Sequence, residues 1–462
     1  MPVNSRHPEY TKSLSSWIMC DDFVAGTKAV KDKGEKYLPR ANPDDTSNSA
    51  RQRYENYKSR AVFYEYSGKT VNKYLGLAFK QDPMMELDKT LEDLIADADG
   101  QGTSLYHLAQ KGLKSLLVHG RFGVWVDYPK VENPDKMSVS EQIAQKARPK
   151  LLFYPATSII NWQDNLIVLE ESVQKETDDP FVTETVTQWR VLGLDNEGYY
   201  VAIWQEVNAQ YQEIKRYYPT DGKGKKWQVI PFQIFGSQHN TWQTQKIPIE
   251  PLVHIEQGIY CNSADAENSR FLCGQIQPFM NVDSHISDHY TEADEYGNLK
   301  NPLRLGSETV IMLGETGSFG FAQAQPNTMA TEGIKEKREI INELGYQLGQ
   351  GYGIKTATQA DNEAQAQNSE ASLCVANLNE GFLNLLRWCN AYMGITDEPK
   401  FIIRQQFNQQ AVDVGVLSGL AQLVDGGKLP KSVIYNKARE YGLINGELTD
   451  DDIDGMIDDV EI

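Results

Sequence analysis

Thr185-Val186-Thr187-Gln188-Trp189-Arg190-Val191-Leu192-Gly193-Leu194 runs into Asp195-Asn196-Glu197-Gly198, then Tyr199-Tyr200-Val201-Ala202-Ile203-Trp204-Gln205-Glu206. The flanks are rich in β-branched and aromatic residues, which suit a pleated, half-buried surface, and the cluster between them is turn chemistry. The passage predicts two antiparallel strands. Residues 151–154, 159–162, 166–173 and 212–218 repeat the pattern, so 151–235 is expected to form an antiparallel meander.

Outward from this centre the periodicity changes. Tyr54, Tyr57, Ala61 and Tyr64 recur at three- and four-residue spacing and predict a helix, with a second over 68–79. Leu87, Leu91, Leu94 and Ile95 mark another amphipathic set. Asp99-Gly100-Gln101-Gly102-Thr103-Ser104 can cap a helix over 105–118, and Val124-Trp125-Val126-Asp127-Tyr128 reads as a buried strand stopped by Pro129. Beyond the meander, 334–348 and 358–392 read as long helices joined by a glycine-rich stretch. A strand pair near 401–407 and short helices over 414–424 and 432–441 follow. Strands gathered between helical runs define an α+β class. Residues 1–50, polar with a loop at 39–45, read as an arm. The stretch 447–462, with eight Asp or Glu, reads as a mobile solvated tail; docking to a basic partner is the sharper alternative.

The chain of 462 residues is long enough for two or three domains and a substantial core. No apolar run approaches the roughly 18–20 residues that span a bilayer. Residues 1–17 are too polar for the apolar part of a signal peptide, so residence in a cytoplasm is expected. Cys20, Cys261, Cys273, Cys374 and Cys389 are widely spaced and lack a C-x-x-C pair, so they read as free, buried or half-buried thiols. A net charge of −19 repels nucleic acid and argues against a sequence-reading duplex binder.

Chemistry-bearing patterns fail one by one. His285 and His289 share a helix face around Asp288, but Asp stands where the inverted zinc-peptidase motif has Glu, and spacing nominates no third ligand. Asp97-Ala98-Asp99-Gly100 opens like a calcium loop, yet the twelfth position is Leu108. Gly222-Lys223-Gly224-Lys225-Lys226 lacks phosphate-loop spacing; Gly349, Gly351 and Gly353 do not follow a strand; Gly317-Ser318-Phe319-Gly320 is one residue short of a nucleophile elbow. Acidic pairs such as Glu170-Glu171 and Asp178-Asp179 arise by chance among 64 acids. No catalytic residue, metal site or cofactor is nominated. Arg121 and Asp127 read as a structural pair or as strand-end residues.

Several short segments stand out in order along the chain. They begin with Tyr37-Leu38-Pro39-Arg40, Tyr54 with Tyr57, and Arg60-Ala61-Val62-Phe63-Tyr64. Asp99-Gly100-x-Gly102-Thr103-Ser104-Leu105 and Gly120-Arg121-x-Gly123-Val124-x-Val126-Asp127-Tyr128-Pro129 follow. Then come Ile159-Ile160-Asn161-Trp162, Trp189-Arg190-Val191-Leu192, Ile230-Pro231-Phe232 and Asn262-Ser263-Ala264-Asp265. The series closes with Leu303-Arg304-Leu305-Gly306-Ser307, Thr356-Ala357-Thr358-x-Ala360 and Ser372-Leu373. Together, in this order, the segments resemble one group of tailed-bacteriophage portal proteins. Residues 238–246 and 258–262 depart from the Leu-rich pattern expected before the Ser-Ala-Asp match.

The resemblance implies the portal fold: a helical N-terminal region, an antiparallel β-rich wing, stem helices with a clip, a long channel-side helix and a helical crown. Its segments would be an arm (1–35), wing (36–249), stem and clip (250–299), wing return (300–348), channel loop and long helix (349–393) and crown with acidic tail (394–462). It implies a ring of twelve at one capsid vertex of the virion, through which double-stranded DNA passes. Implied partners are the terminase large subunit, the head–tail adaptor, and the major capsid and scaffolding proteins, with no membrane and no enzymatic activity. Twelve copies would carry about −228 before counterions, a field that disfavours gripping phosphate.

By the same resemblance Gln350, Lys355, Gln359, Asn362, Gln365 and Asn368 would line the channel. The Gln/Asn/Ala-rich start of the long helix offers hydrogen-bonding groups with little charge, although it also suits a solvated linker helix. A different head-completion or capsid-associated structural protein is the alternative. A carbohydrate-active hydrolase, suggested by 8 Trp and 23 Tyr, is a distant third.

Overall fold

The computed structural model describes residues 2–128, 148–175, 181–221, 224–275, 277–302, 311–323, 328–344, 357–403, 414–440, 443–444 and 449–458. Over 357–369 it describes the backbone alone. The fold is α+β. Helices α1 (Pro8–Ala25), α2 (Thr27–Asp32), α3 (Asn48–Arg60) and α4 (Tyr66–Ala78) come first. Strand β1 (Met84–Glu86), α5 (Asp93–Ala96), α6 (Leu105–His119) and β2 (Arg121–Asp127) follow. The β region holds β3 (Lys150–Pro155), β4 (Ile159–Gln163), β5 (Leu166–Lys175), β6 (Glu184–Asp195), β7 (Gly198–Val207), β8 (Gln210–Tyr217) and β9 (Phe232–Gly236). Then come α7 (Glu250–Cys273), β10 (Gln277–Asn281), α8 (Ser284–Thr291), β11 (Ser318–Ala322) and α9 (Met329–Glu343). The last elements are α10 (Ala357–Met393), β12 (Lys400–Ile402), α11 (Val414–Asp425), α12 (Ser432–Glu440) and α13 (Asp450–Asp458).

These elements form two compact units, each discontinuous in sequence. The first comprises Met1–Ile18, Val71–Pro248 and Tyr352–Ile462, the second Met19–Thr70 and Ile249–Gly351.

In the first unit β4-β5-β6-β7-β8 form an antiparallel meander, as the alternating sequence predicts. The turn after β6 closes where Asp195 Oδ1 accepts from the Glu197 amide at 2.8 Å and Gly198 takes a positive φ of 120°. Gly193 stands opposite Tyr200, and a Cβ there would lie 2.2 Å from the Tyr200 ring, so only glycine fits beneath the aromatic. Residues 151–154, expected in the meander, pair elsewhere: β3 joins β2 and β9 in a three-stranded sheet ordered β3-β2-β9. The strand near 401 also finds a distant partner, β12 lying antiparallel to β1. Ser104 caps α6 by accepting from the His107 amide at 3.1 Å, and Gly120 in the left-handed region ends the helix. Leu105, Leu108, Ala109, Leu113, Leu116 and Leu117 are all buried.

Residues 8–25, within the stretch read as an arm, form the helix α1. Tyr10, Trp17, Cys20 and Phe23 on α1 are buried, because aromatics spaced along a polar helix form an apolar face. The first half packs in the first unit, where Trp17 Nε1 donates to the His119 carbonyl at 2.8 Å. The tail is likewise helical over α13. There Ile453 is buried and Asp454 accepts from the Tyr435 hydroxyl at 2.6 Å.

The second unit is built on α7 packed against α9 and α3. Phe23 meets Tyr37 and Phe63, and Phe63 meets Tyr260, edge to face at centroid distances of 5.1, 5.3 and 5.8 Å. Glu256 on α7 is 1% exposed and caps α4, accepting from the Tyr66 amide at 2.6 Å and from the Ser67 amide at 2.9 Å. The Ser67 hydroxyl donates to the same carboxylate. Residues 258–262, where the sequence departs from the expected pattern, lie within the continuous α7. Gly258 there leaves room for the Lys337 side chain.

Candidate functional site

Of the six residues expected at the channel, Gln359, Asn362, Gln365 and Asn368 fall on the first turns of α10, and their side chains lie outside the described residues. Gln350 and Lys355 also lie outside the described residues. What positions this segment is the rest of the same helix. α10 has 37 residues, a span of roughly 55 Å at about 1.5 Å per residue. From Ala371 on it shows a buried stripe: Cys374, Val375, Leu378, Phe382, Leu385, Leu386, Cys389 and Tyr392 recur every three or four residues. The stripe packs on β9, α6, β2 and β12. Gly381 permits the closest approach, since a Cβ there would lie 2.1 Å from Phe235, itself stacked on Phe122 at 4.3 Å.

Side-chain amides lock the register of α10, a feature sequence reasoning missed. Asn377 Nδ2 donates to the Gly236 carbonyl at 2.7 Å, at the end of β9. Asn379 clamps the backbone of Ile403 in both directions: its Oδ1 accepts from the amide at 2.8 Å and its Nδ2 donates to the carbonyl at 3.2 Å. Asn390 Nδ2 donates to the Asp397 carbonyl at 2.6 Å. The available signal was asparagine recurring on an otherwise apolar stripe, where a buried amide must find backbone partners. Just before the stripe, Glu370 pairs with Lys246 at 3.1 Å.

A second concentration of titratable groups lies between β2, β3, β5 and β6. Burial acts to raise the Glu171 pKa, yet the Arg190 guanidinium, donating from Nε at 2.7 Å and from Nη2 at 3.1 Å, holds it below the ordinary range. Tyr154 and Gln188 also donate to Glu171. Arg190 lies over the Trp125 ring at 4.8 Å, and Trp125 Nε1 donates to the Tyr199 hydroxyl at 2.8 Å. Burial pushes the Asp127 carboxyl up, with Arg190 and Lys150 opposing. With Glu171 receiving four donors, the arrangement is a cross-strand brace.

Arg121 and Asp127 are not a pair: they occupy opposite ends of the seven-residue β2. Arg121 is 1% exposed, and among the described residues none of its guanidinium nitrogens has a hydrogen-bond partner. It sits on the Trp162 ring at 4.2 Å, with His7 also stacked on that ring. Burial lowers its pKa to about 10.

His289 lies on α8, facing Asn301 at 3.4 Å; the His285 side chain lies outside the described residues. Among the described residues no three His, Cys, Asp or Glu side chains are grouped to hold a metal. Asp97 Oδ1 accepts from the Gly100 and Gly102 amides at 2.8 Å each, and Arg148 pairs with Asp97, so that loop is held by backbone and guanidinium. The five cysteines form no disulfide among the described residues, and four of them are buried. No described helix is long and apolar enough to cross a membrane.

Residues 248–393 match a family described as a domain of unknown function (DUF4055). No curated protein matches the chain. Among solved structures it is similar to the neck of an empty GTA particle computed with C6 symmetry, at 12% identity and a TM-score of 0.44. That alignment covers 90% of this chain and 99% of the other. It is also similar to the virion of a native gene transfer agent (GTA) particle, at 10% identity and a TM-score of 0.39, covering 87% and 95%. The neck of a native GTA particle computed with C12 symmetry aligns at 10% identity and a TM-score of 0.38, covering 90% and 99%.

Proposed function

We propose that this chain is the repeating subunit of a phage portal ring, a structural, non-enzymatic component of the virion through which double-stranded DNA enters and leaves the capsid. The observation that carries the reading is the asymmetry of α10. Its second half is bolted into the first unit by a buried stripe and asparagine clamps. Its first turns continue the same helix in a sequence of Gln, Asn, Ala and few charges. A rigid helix that offers polar, weakly charged groups suits a wall past which a polyanion must slide, and the net charge of −19 per copy discourages adhesion. The ordered series of portal-like segments from Tyr37 to Leu373 supports the same reading.

On this proposal residues 36–249 and 300–348 build the wing, 250–299 the stem and clip, 349–393 the channel element and 394–462 the crown. Twelve copies would close the ring, and terminase, head–tail adaptor, major capsid and scaffolding proteins would dock on it.

Negative-stain imaging of the purified full chain tests the reading. Closed rings with an axial hole are expected, together with DNA-empty capsids when the gene is deleted. A persistent monomer, or capsids that fill normally without the protein, would overturn it.

A further inference from the structure

Charge in this chain is unevenly distributed. Helix α3 carries Arg51, Arg53, Lys58 and Arg60 against a single acid, Glu55, in a protein of net charge −19. At the opposite extreme, residues 447–462 hold eight acids and no Lys or Arg. Beside α3 the second unit has a cavity of 880 Å³ with apolar walls from Leu38, Ala50, Tyr54, Phe271 and Leu272. Phe271 and Leu272, in the last turn of α7, are 43% and 55% exposed.

Three guanidinium groups rim this cavity. Arg40 pairs with Glu35 at 2.5 Å and Arg53 with Asp45 at 3.0 Å. Arg60 differs: Nη1 donates to Asn268 Oδ1 at 3.0 Å, the guanidinium carbon lies 3.8 Å from the centre of the Phe271 ring, and no described carboxylate pairs with it. Asp265, the remaining acid on the rim, accepts from the Tyr57 hydroxyl at 2.7 Å. A half-buried cation stacked on an aromatic ring at the mouth of an apolar hollow is suited to a carboxylate flanked by aliphatic side chains.

We propose that this cavity receives the acidic C-terminal segment, residues 456–462, of a second copy of the chain. Met456-Ile457-Asp458-Asp459-Val460-Glu461-Ile462 interleaves four apolar side chains with three acids, the composition the cavity and its rim complement. The preceding residues are tied to their own chain through buried Ile453 and the Tyr435–Asp454 hydrogen bond, whereas Met456 is 56% exposed. Duplex DNA would satisfy the arginines but leave the apolar walls wet, so the peptide is the better match. The inference rests on the portal reading only in that a neighbouring copy must be at hand.

The test mixes ordinary and heavy-isotope-labelled full chains, each with a photoreactive benzoyl-phenylalanine at Met456, and maps the cross-links by mass. Mixed-isotope links from position 456 to peptides within 38–60 or 261–272 are expected. Arg60→Glu should lower them about tenfold, and Arg60→Glu combined with Asp458→Lys should restore them. Links confined to one isotope, links mapping elsewhere, or yields unchanged by Arg60→Glu would overturn the assignment. Loss of the links to a competing duplex oligonucleotide would give the basic face to nucleic acid instead, and equally overturn it. Ring closure is scored by negative stain on the same samples. Rings without these links end the tail assignment alone, and links without rings end the portal reading alone.

Discussion

Removing the carboxylate of Glu256 should destabilise the second unit by about 3–5 kcal/mol, with two backbone amides left without acceptors at roughly 1–3 kcal/mol each. The residue joins α7 to the N-terminus of α4, where the Tyr66 and Ser67 amides have no helical acceptors of their own. Glu256→Ala also forfeits the Ser67 hydroxyl bond, while the desolvation cost of the buried charge is relieved in part. Glu256→Gln keeps one acceptor oxygen and should cost less, about 1–2 kcal/mol. Burial raises the Glu256 pKa above the ordinary glutamate value, outweighing the hydrogen bonds that lower it. A carboxyl with a raised folded pKa contributes stability that is fully present below its unfolded pKa and is lost as pH rises through the folded one. The deficit of Glu256→Gln relative to the parent should therefore be largest at acidic pH and shrink towards neutrality. Urea titration of both variants across that range measures this. A Glu256→Ala midpoint equal to the parent's, or a Glu256→Gln deficit that grows with pH, would refute the reasoning.

Three further outcomes follow from other sites. Gly381→Ala puts a methyl group 2.1 Å from Phe235, which its stack on Phe122 prevents from yielding, so a loss of about 1–3 kcal/mol in thermal unfolding is expected. Arg190→Leu strands the buried Glu171 and should cost about 3–5 kcal/mol, whereas Arg190→Leu with Glu171→Leu should recover much of the loss; denaturant midpoints of the single and double variants decide this. Gln359→Lys and Gln365→Lys should impair DNA packaging while leaving ring assembly intact, and packaging unchanged by both would remove α10 from the channel.

Local structure was widely legible. The alternation around Trp189 and Trp204 predicts β6 and β7, the cap ending at Ser104 predicts the start of α6, and the reading of 358–392 as a long helix predicts α10, on which Leu373 is exposed while Leu378, Phe382, Leu385 and Leu386 are buried. Strand partners were not legible in the same way. Nothing local to residues 150–155 says that they pair with β2, or that 400–402 pair with 84–86, because an antiparallel ladder records its partner only through distant burial. The packing of residues 8–25 was not legible for a related reason. Tyr10, Trp17 and Phe23 are sparse among polar residues, and only the surfaces they cover reveal them as core.

What the sequence determined by itself is therefore the short-range content: the α+β class, the helix caps, the turn at Gly198 and the excess of negative charge. These depend on backbone propensities and on counting, which a neighbour a few residues away already settles. What only the tertiary structure decided is the long-range content. Buried Glu256 became a cap for another helix, Arg121 and Asp127 were held apart at the two ends of one strand, and Arg60 was set at the mouth of an apolar cavity. Each of these follows from which remote surfaces exclude water together, and that free energy belongs to pairs of segments rather than to either one.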